Sequence, residues 1–532
     1  KNIAIIGSGV SGLTCAHYLA TQFEVTVFEA SDYIGGHVNT IDVTLQDGKK
    51  AKRSTVEKSA IDTGFIVFNE RTYPNFFRLL YELQVPFQAT DMSFSVRNSA
   101  RNFEYNGHTL NTLLSQRKNI LSPKFWAFIT DILQFNKQVC QLCQDYDKAR
   151  EQGQDIAVFT KQTLGEYLDT KKYGDLFKDN YLLPMVSAIW STSLRDVQDF
   201  PLVFFAQFFD NHGLLDVVNR PQWFTIKGGS KQYVNKLVTR FVKAGGSIRV
   251  NTPVQSISRE DDKVMLKVMD KTDDKGPSLI FDEVIFACHA DTALKILTDA
   301  NPVEQKTLSK FVFTSNTAVL HTDTSVLPKN SLAWASWNYL IDNKDANKGS
   351  KALPQSATKP VLTYHMNILQ RLTKQHNYLV TLNHEVDESQ VIKRIDYSHP
   401  VFNNEMIAAQ AQWSSISGGD SHTHFCGAYW FNGFHEDGVR SALRVCQALG
   451  CDIDIKDTVD PIHLPDAKSA HTPFRYKDLP IKVDKKLPKL KKRQIVTATT
   501  NQELVQYIAT LEPVAKAFKK KKSGFFARRK DK

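Results

Sequence analysis

The first thirty residues alternate in a readable way. Ile3–Ile6 is a short apolar run that breaks at glycines. Leu13, Ala16 and Ala20 then recur at helical spacing, and Val25–Phe28 is β-branched and apolar. The pattern predicts strand, glycine turn, helix, strand. Residues 31–75 predict loops and short strands. From Leu110 to about Asn219 the spacing is mostly helical and the apolar residues are bulky: Phe125, Trp126, Phe128, Ile129 and Leu133, then Phe204, Phe205, Phe208 and Phe209. Strands are expected near Ser247–Val250, Val264–Val268 and Glu283–Phe286. A second sheet is expected over residues 311–415, with alternating runs at Leu362–Met366 and Tyr378–Leu382. The polar stretch Asn343–Lys359 between them reads as a mobile loop. Thr423–Leu449 predicts strand, loop and a helix over Gly438–Leu449.

Length and charge sharpen this picture. The 532 residues hold two interleaved domains and an appendage. Residues 461–532 carry 15 Lys and 4 Arg against 6 acidic residues, a net of +13; the whole chain is +11, so residues 1–460 sum to −2. The basic character therefore belongs to the tail. There, Leu504, Ile508, Leu511, Ala515 and Phe518 recur at helical spacing, and Phe525 and Phe526 lie among Lys and Arg. That composition suits an anionic membrane surface, with nucleic acid a weaker candidate. No window of about 18 apolar residues occurs, and no signal-peptide pattern is visible, so a cytoplasmic protein, peripheral on the membrane at most, is expected. Seven Cys in an irregular, odd set suit a reducing compartment. Cys140 and Cys143 form one CxxC inside a predicted helix, without partners for a zinc site. No metal ligand set is expected.

The chemistry-bearing motif is Gly7-Ser8-Gly9-Val10-Ser11-Gly12, after a strand and opening a helix. Gly7 permits the turn, Gly9 the approach of a pyrophosphate, and Gly12 the packing of helix on strand. The helix N-terminus supplies free N–H groups and positive potential. Glu29, 20 residues after Gly9, ends the second strand, where it can accept ribose hydroxyls. Gly35-Gly36 adds a second glycine pair, and no later GxGxxG offers a nicotinamide domain. FAD is the expected cofactor.

Glu29–Thr40, Asp62-Thr63-Gly64, Trp223–Leu237 and Phe425–Leu449 together resemble the flavin-containing amine oxidase superfamily. Asp62–Pro74 and the run Phe425–Val439 are most similar to a largely bacterial branch of predicted NAD/FAD-binding oxidoreductases. That branch is related to the flavoprotein domain of plant cyclopropane fatty acid synthases. The resemblance covers about residues 1–460. It implies that Gly7, Gly9, Val10, Ser11, Gly12 and Glu29 bind the ADP half of FAD, with Gly35, Gly36 and His37 at the pyrophosphate. His37 stands where amine oxidases usually carry Arg. By the same resemblance Asp62 and Gly64 lie at the cofactor, and the backbone at Val254 meets adenine. Gly427, Asp437, Gly438 and Val439 close over the flavin. Phe434 matches an aromatic-cage position that is often Tyr. An acidic residue of the family is absent, Tyr429 being nearby, and no second cage aromatic or flavin-facing Lys is evident.

The sequence thus predicts an α/β fold: a doubly wound, Rossmann-type FAD-binding domain (1–75, 222–300, 416–460) interleaved with an α+β substrate domain (76–221, 301–415). The candidate catalytic residues are Phe434, His435 and Glu436, either of the last two taking a proton as a hydride leaves for the flavin, or else bonding loop backbone. Arg71 could clamp an acidic group or make a surface ion pair. The expected substrate is apolar, fatty-acyl or another lipid. The alternatives are an amine, or a flavoprotein without net redox turnover, such as an isomerase or a partner of a lipid methyltransferase.

Overall fold

The computed structural model describes residues 1–46, 56–190, 193–215, 221–269, 278–341, 361–457 and 495–499. The Asn343–Lys359 insertion and the predicted tail helix lie outside them.

Strand β1 (Asn2–Ile6) is buried from Ile3 onward because both faces of its sheet are covered. It pairs in parallel with β2 (Glu24–Phe28) on one side and β4 (Glu283–Phe286) on the other. β3 (Ser247–Arg249) extends the sheet beyond β2, and β5 (Thr423–Phe425) beyond β4. The order β3-β2-β1-β4-β5 draws its strands from three distant parts of the chain. That is the doubly wound α/β architecture expected.

Helix α1 (Val10–Leu19) packs against this sheet, as do α4 (Lys231–Lys243) and α5 (His435–Ala448). Its close approach depends on Gly12: a Cβ there would stand 2.0 Å from the Gly7 carbonyl oxygen. Gly7, at φ +107°, makes the turn that brings the two together. Helix α2 (Pro74–Glu82) and the strand Phe87–Thr90 belong to the same region: Phe76, Phe77, Leu79 and Ala89 share an apolar core with Ile3 and Val25. The domain boundary expected at residue 75 falls inside this unit.

The second sheet has seven strands, in the order 391–400, 313–321, 379–382, 361–365, 337–341, 94–98 and 103–106. All its pairs are antiparallel except Trp337–Ile341 with Phe94–Asn98. Helices spanning Leu110–Asn211 pack beside it, led by α3 (Pro123–Glu151), which holds Cys140 and Cys143. Past residue 460, Ile495–Thr499 adds antiparallel to the strand Thr40–Gln46, so a short part of the basic tail is a sheet strand.

Candidate active site

One cavity of about 1070 Å³ runs from the glycine turn after β1 to the aromatic helices of the second domain. Its size is at the upper end of small-molecule sites, which run to about 1,000 Å³. One end is built by the first βαβ unit. Ser8 donates from both N–H (2.9 Å) and Oγ (2.6 Å) to Glu29 Oε2, and Ser31 N–H donates to Glu29 Oε1 at 2.8 Å. Ser8 Oγ also accepts from Gly35 N–H at 3.4 Å, and Gly36 lies close enough to Gly9 that a Cβ would come within 3.2 Å of its Cα. Both glycine turns are thus fixed against each other on the cavity wall. The Thr252 N–H donates to the Glu29 carbonyl at 2.9 Å, which brings Val254 to the wall as well.

These residues fit the ADP half of FAD. A Cβ on Gly9 would meet nothing within 4 Å, so this turn leaves open space where a phosphate can approach. Gly9 caps α1 without a side chain, leaving the first-turn amides at Val10 and Ser11 for an anion. Gly7, Gly9, Val10, Ser11, Glu29, Gly35, Gly36, His37, Gly64, Val254 and Gly427 all lie on the wall, whereas Gly12 acts from behind it by packing.

His37 has company that the sequence reading missed. Its ring lies 5.4 Å from that of His399 and 6.4 Å from that of His289, all three on the wall. Burial holds His37 well below the ordinary imidazole range, helped by the neighbouring rings; His289 is lowered too, and His399 falls to about 4. All three are neutral near pH 7, where the resemblance expected an arginine. Among the described residues, no group of His, Cys, Asp or Glu is arranged to hold a metal ion.

Asp62 is not on the wall. Its carboxylate accepts from Thr40 Oγ1, from Ser230 N–H and Oγ, and from Gln370 Nε2, tying the strand Val56–Asp62 to the start of α4. Gly64 reaches the wall because a Cβ there would lie 2.2 Å from the His37 carbonyl oxygen. Asp62 therefore supports the cofactor end from outside.

At the other end Phe434 stacks on Phe208 at 4.8 Å and lies near Trp190 and His212, all on the wall. Phe402, Tyr364 and Trp337 add to this aromatic lining, which no local motif announced. His435 is also on the wall. Its ring stacks on Phe65 at 3.6 Å, and its Nε2 lies 2.6 Å from Tyr233 Oη. Burial lowers it to about 3, so at neutral pH it is an uncharged ring and a weak proton acceptor.

Glu436 is not on the wall. It accepts from Asn75 N–H and Nδ2 (3.1 and 2.6 Å) and from Phe76 N–H (2.8 Å), capping α2, while burial raises it to about 8. Asp437 accepts from Phe434 N–H at 2.8 Å, and burial raises it to about 7. Gly438 packs on α1, where a Cβ would strike Val10 Cγ1 at 2.6 Å, and Val439 is buried in the core. Asp437, Gly438 and Val439 thus lie off the wall, where they fasten α5. That helix begins at His435, three residues earlier than its spacing suggested, because Asp437 captures the Phe434 amide. Its N-terminus carries no side-chain cap and starts between two wall residues, where it can meet developing negative charge.

A doubly wound sheet with this turn and carboxylate defines a dinucleotide-binding protein. The sequence pattern of the flavin-containing amine oxidoreductases matches residues 10–450, and the chain belongs to that family; its cofactor is FAD and it is an oxidoreductase. In fold it is similar to a CLA-producing fatty acid isomerase from P. acnes, at 13% identity over 84% of this chain and 98% of that one, with a TM-score of 0.55. Cyclohexylamine oxidase from Brevibacterium oxydans is equally similar, with 14% identity, the same coverage and a TM-score of 0.55. Lysine-specific histone demethylase 1 of Schizosaccharomyces pombe is 29% identical over 84 residues, so the match spans 13% of this chain and 8% of that protein.

Proposed function

We propose that the enzyme oxidises a C–H bond of an apolar substrate, a fatty-acyl or related lipid. The observation that carries this reading is the charge of the cavity wall. Its one carboxylate among the described residues is Glu29, and its one Lys or Arg is Lys295, both at the dinucleotide end. The substrate end is aromatic and aliphatic, with Met185, Ile189, Trp190, Phe208, Phe402 and Phe434. Such a wall gains from burying hydrocarbon and holds no carboxylate at this end to pair with an ammonium. FAD, when bound, supplies a two-electron acceptor. The protein then has to align the reacting carbon, which Phe434 and its aromatic neighbours do, and keep water out. His435 stays neutral and fixed by Tyr233.

The test is anaerobic mixing of the holoenzyme with a panel of acyl lipids and a panel of primary amines, read at the flavin absorbance band. Acyl lipids are expected to bleach the band and amines to leave it. Bleaching by amines alone would overturn the reading in favour of amine oxidation. Migration of an acyl double bond without bleaching would make the enzyme an isomerase of the same substrate class.

A further inference from the structure

We propose that an anionic lipid bilayer docks on the surface around Leu110, Leu121, Trp126 and Leu133, beside the entrance to the cavity. The inference rests on the lipid-substrate reading for its purpose. Its physical basis is independent.

Leu121 is 88% exposed, Leu110 68%, Leu133 52% and Trp126 47%. Leu110 opens a short helix, Leu121 ends the 3₁₀ turn Arg117–Leu121, and Trp126 and Leu133 share one face of α3, seven residues apart. Hydrogen bonds fasten these pieces into one surface. Trp126 Nε1 donates to the Ile120 carbonyl at 2.9 Å. The Arg117 guanidinium donates to the carbonyls of Asn111 and Leu114 and to Asn111 Oδ1. Exposed leucines grouped around an amphipathic tryptophan mark a binding surface on a folded protein.

Charge selects the occupant. Residues 107–137 carry Arg117, Lys118, Lys124 and Lys137 against Asp131, a net of +3, while residues 1–460 as a whole sum to −2. A second copy docking by two-fold symmetry would set this positive patch against itself. Anionic headgroups instead complement it, with the leucines and tryptophan entering the acyl boundary and the lysines reaching back to phosphate. The patch also adjoins the cavity: Gly107, three residues before Leu110, is exposed and lies on the cavity wall with Phe94 and Tyr105. An acyl chain would pass from bilayer to cavity at that rim while its headgroup stays at the surface.

The test is co-sedimentation of the full-length holoenzyme, without turnover, with phosphatidylcholine vesicles containing or lacking phosphatidylglycerol. Binding is expected to the anionic vesicles and to be far weaker to the neutral ones. Leu110→Asp with Leu121→Asp, both at exposed positions, is expected to weaken partition by about 10-fold or more at unchanged flavin content. Lys118→Glu with Lys124→Glu should weaken binding to the phosphatidylglycerol vesicles while leaving flavin content unchanged. The tail variant Phe525→Ser with Phe526→Ser should sediment like the parent. Sedimentation of the double-aspartate variant at the parent's level would overturn the proposal. So would the absence of parental binding, or a shift from dimer to monomer in that variant with vesicle binding retained. A holoenzyme that docks as expected but is not bleached by any acyl lipid would leave the docking surface standing and remove the substrate reading.

Discussion

Successive side chains leave a helix about 100° apart, and this rotation separates Phe434 and His435 on the cavity wall from Glu436 and Asp437 behind it. Sequence places Phe434, His435 and Glu436 together as candidate chemistry, with Asp437 next to them at the cofactor, because adjacency is all it records. Direction is what divides them. Asp62 illustrates the same limit: its carboxylate is occupied by Thr40, Ser230 and Gln370, partners as far as 308 residues away. Gly7, Gly9 and Glu29, by contrast, could be read directly, since a turn and the carboxylate that braces it are local objects. Phe434→Ala tests the aromatic end. Losing the ring against Phe208 should lower turnover on the order of 10²-fold, if it positions the reacting carbon, while flavin occupancy stays full. Unchanged turnover on the true substrate would reduce Phe434 to packing.

At the level of elements, Glu436 makes a clear stability prediction. It satisfies the buried amides of Asn75 and Phe76, which open α2 and have no intrahelical partner. Glu436→Ala should cost roughly 2–4 kcal/mol by denaturant unfolding, since it strands buried donors. Glu436→Gln should cost less, because an amide oxygen still accepts. A fully stable Glu436→Ala protein with lost turnover would instead return Glu436 to the chemistry. The elements the sequence predicted well are those with a strong local period: β1, α1, β2, and the strands at 264–268 and 283–286. The pairing of Phe94–Asn98 with Trp337–Ile341 was not readable, because no local pattern encodes a partner about 240 residues away. The start of α5 was misjudged for a related reason: its cap is a backbone amide held by Asp437, not a capping side chain at the first position.

For the whole molecule, buried ionisable groups set a pH optimum. Burial holds His17, His212, His321, His365 and His399 near 4 and His435 near 3, against an ordinary 6.5. An unfolded chain protonates these rings near 6.5 but the folded one does not. The stability they contribute is present above 6.5 and lost as pH falls towards 4. Glu436 and Asp437 are raised to about 8 and 7, so their contribution is present at low pH and lost as pH rises through those values. Six histidines outweigh the acids below 6.5. Thermal midpoints should therefore peak near pH ~6.5 and fall on both sides; a steady rise from acid to alkaline pH would contradict this assignment. No helix among the described residues is long and apolar enough to cross a membrane. All of this depends on FAD being held by the first βαβ unit and Glu29. The most direct measurement is flavin stoichiometry, by absorbance after gel filtration, for the parent, Gly12→Val and Glu29→Ala. The parent should carry one FAD per chain. Gly12→Val should lose it because the new side chain forces α1 off the Gly7 carbonyl, and folded Glu29→Ala should lose most of it with the ribose acceptor. Full flavin occupancy in both folded variants would contradict the account.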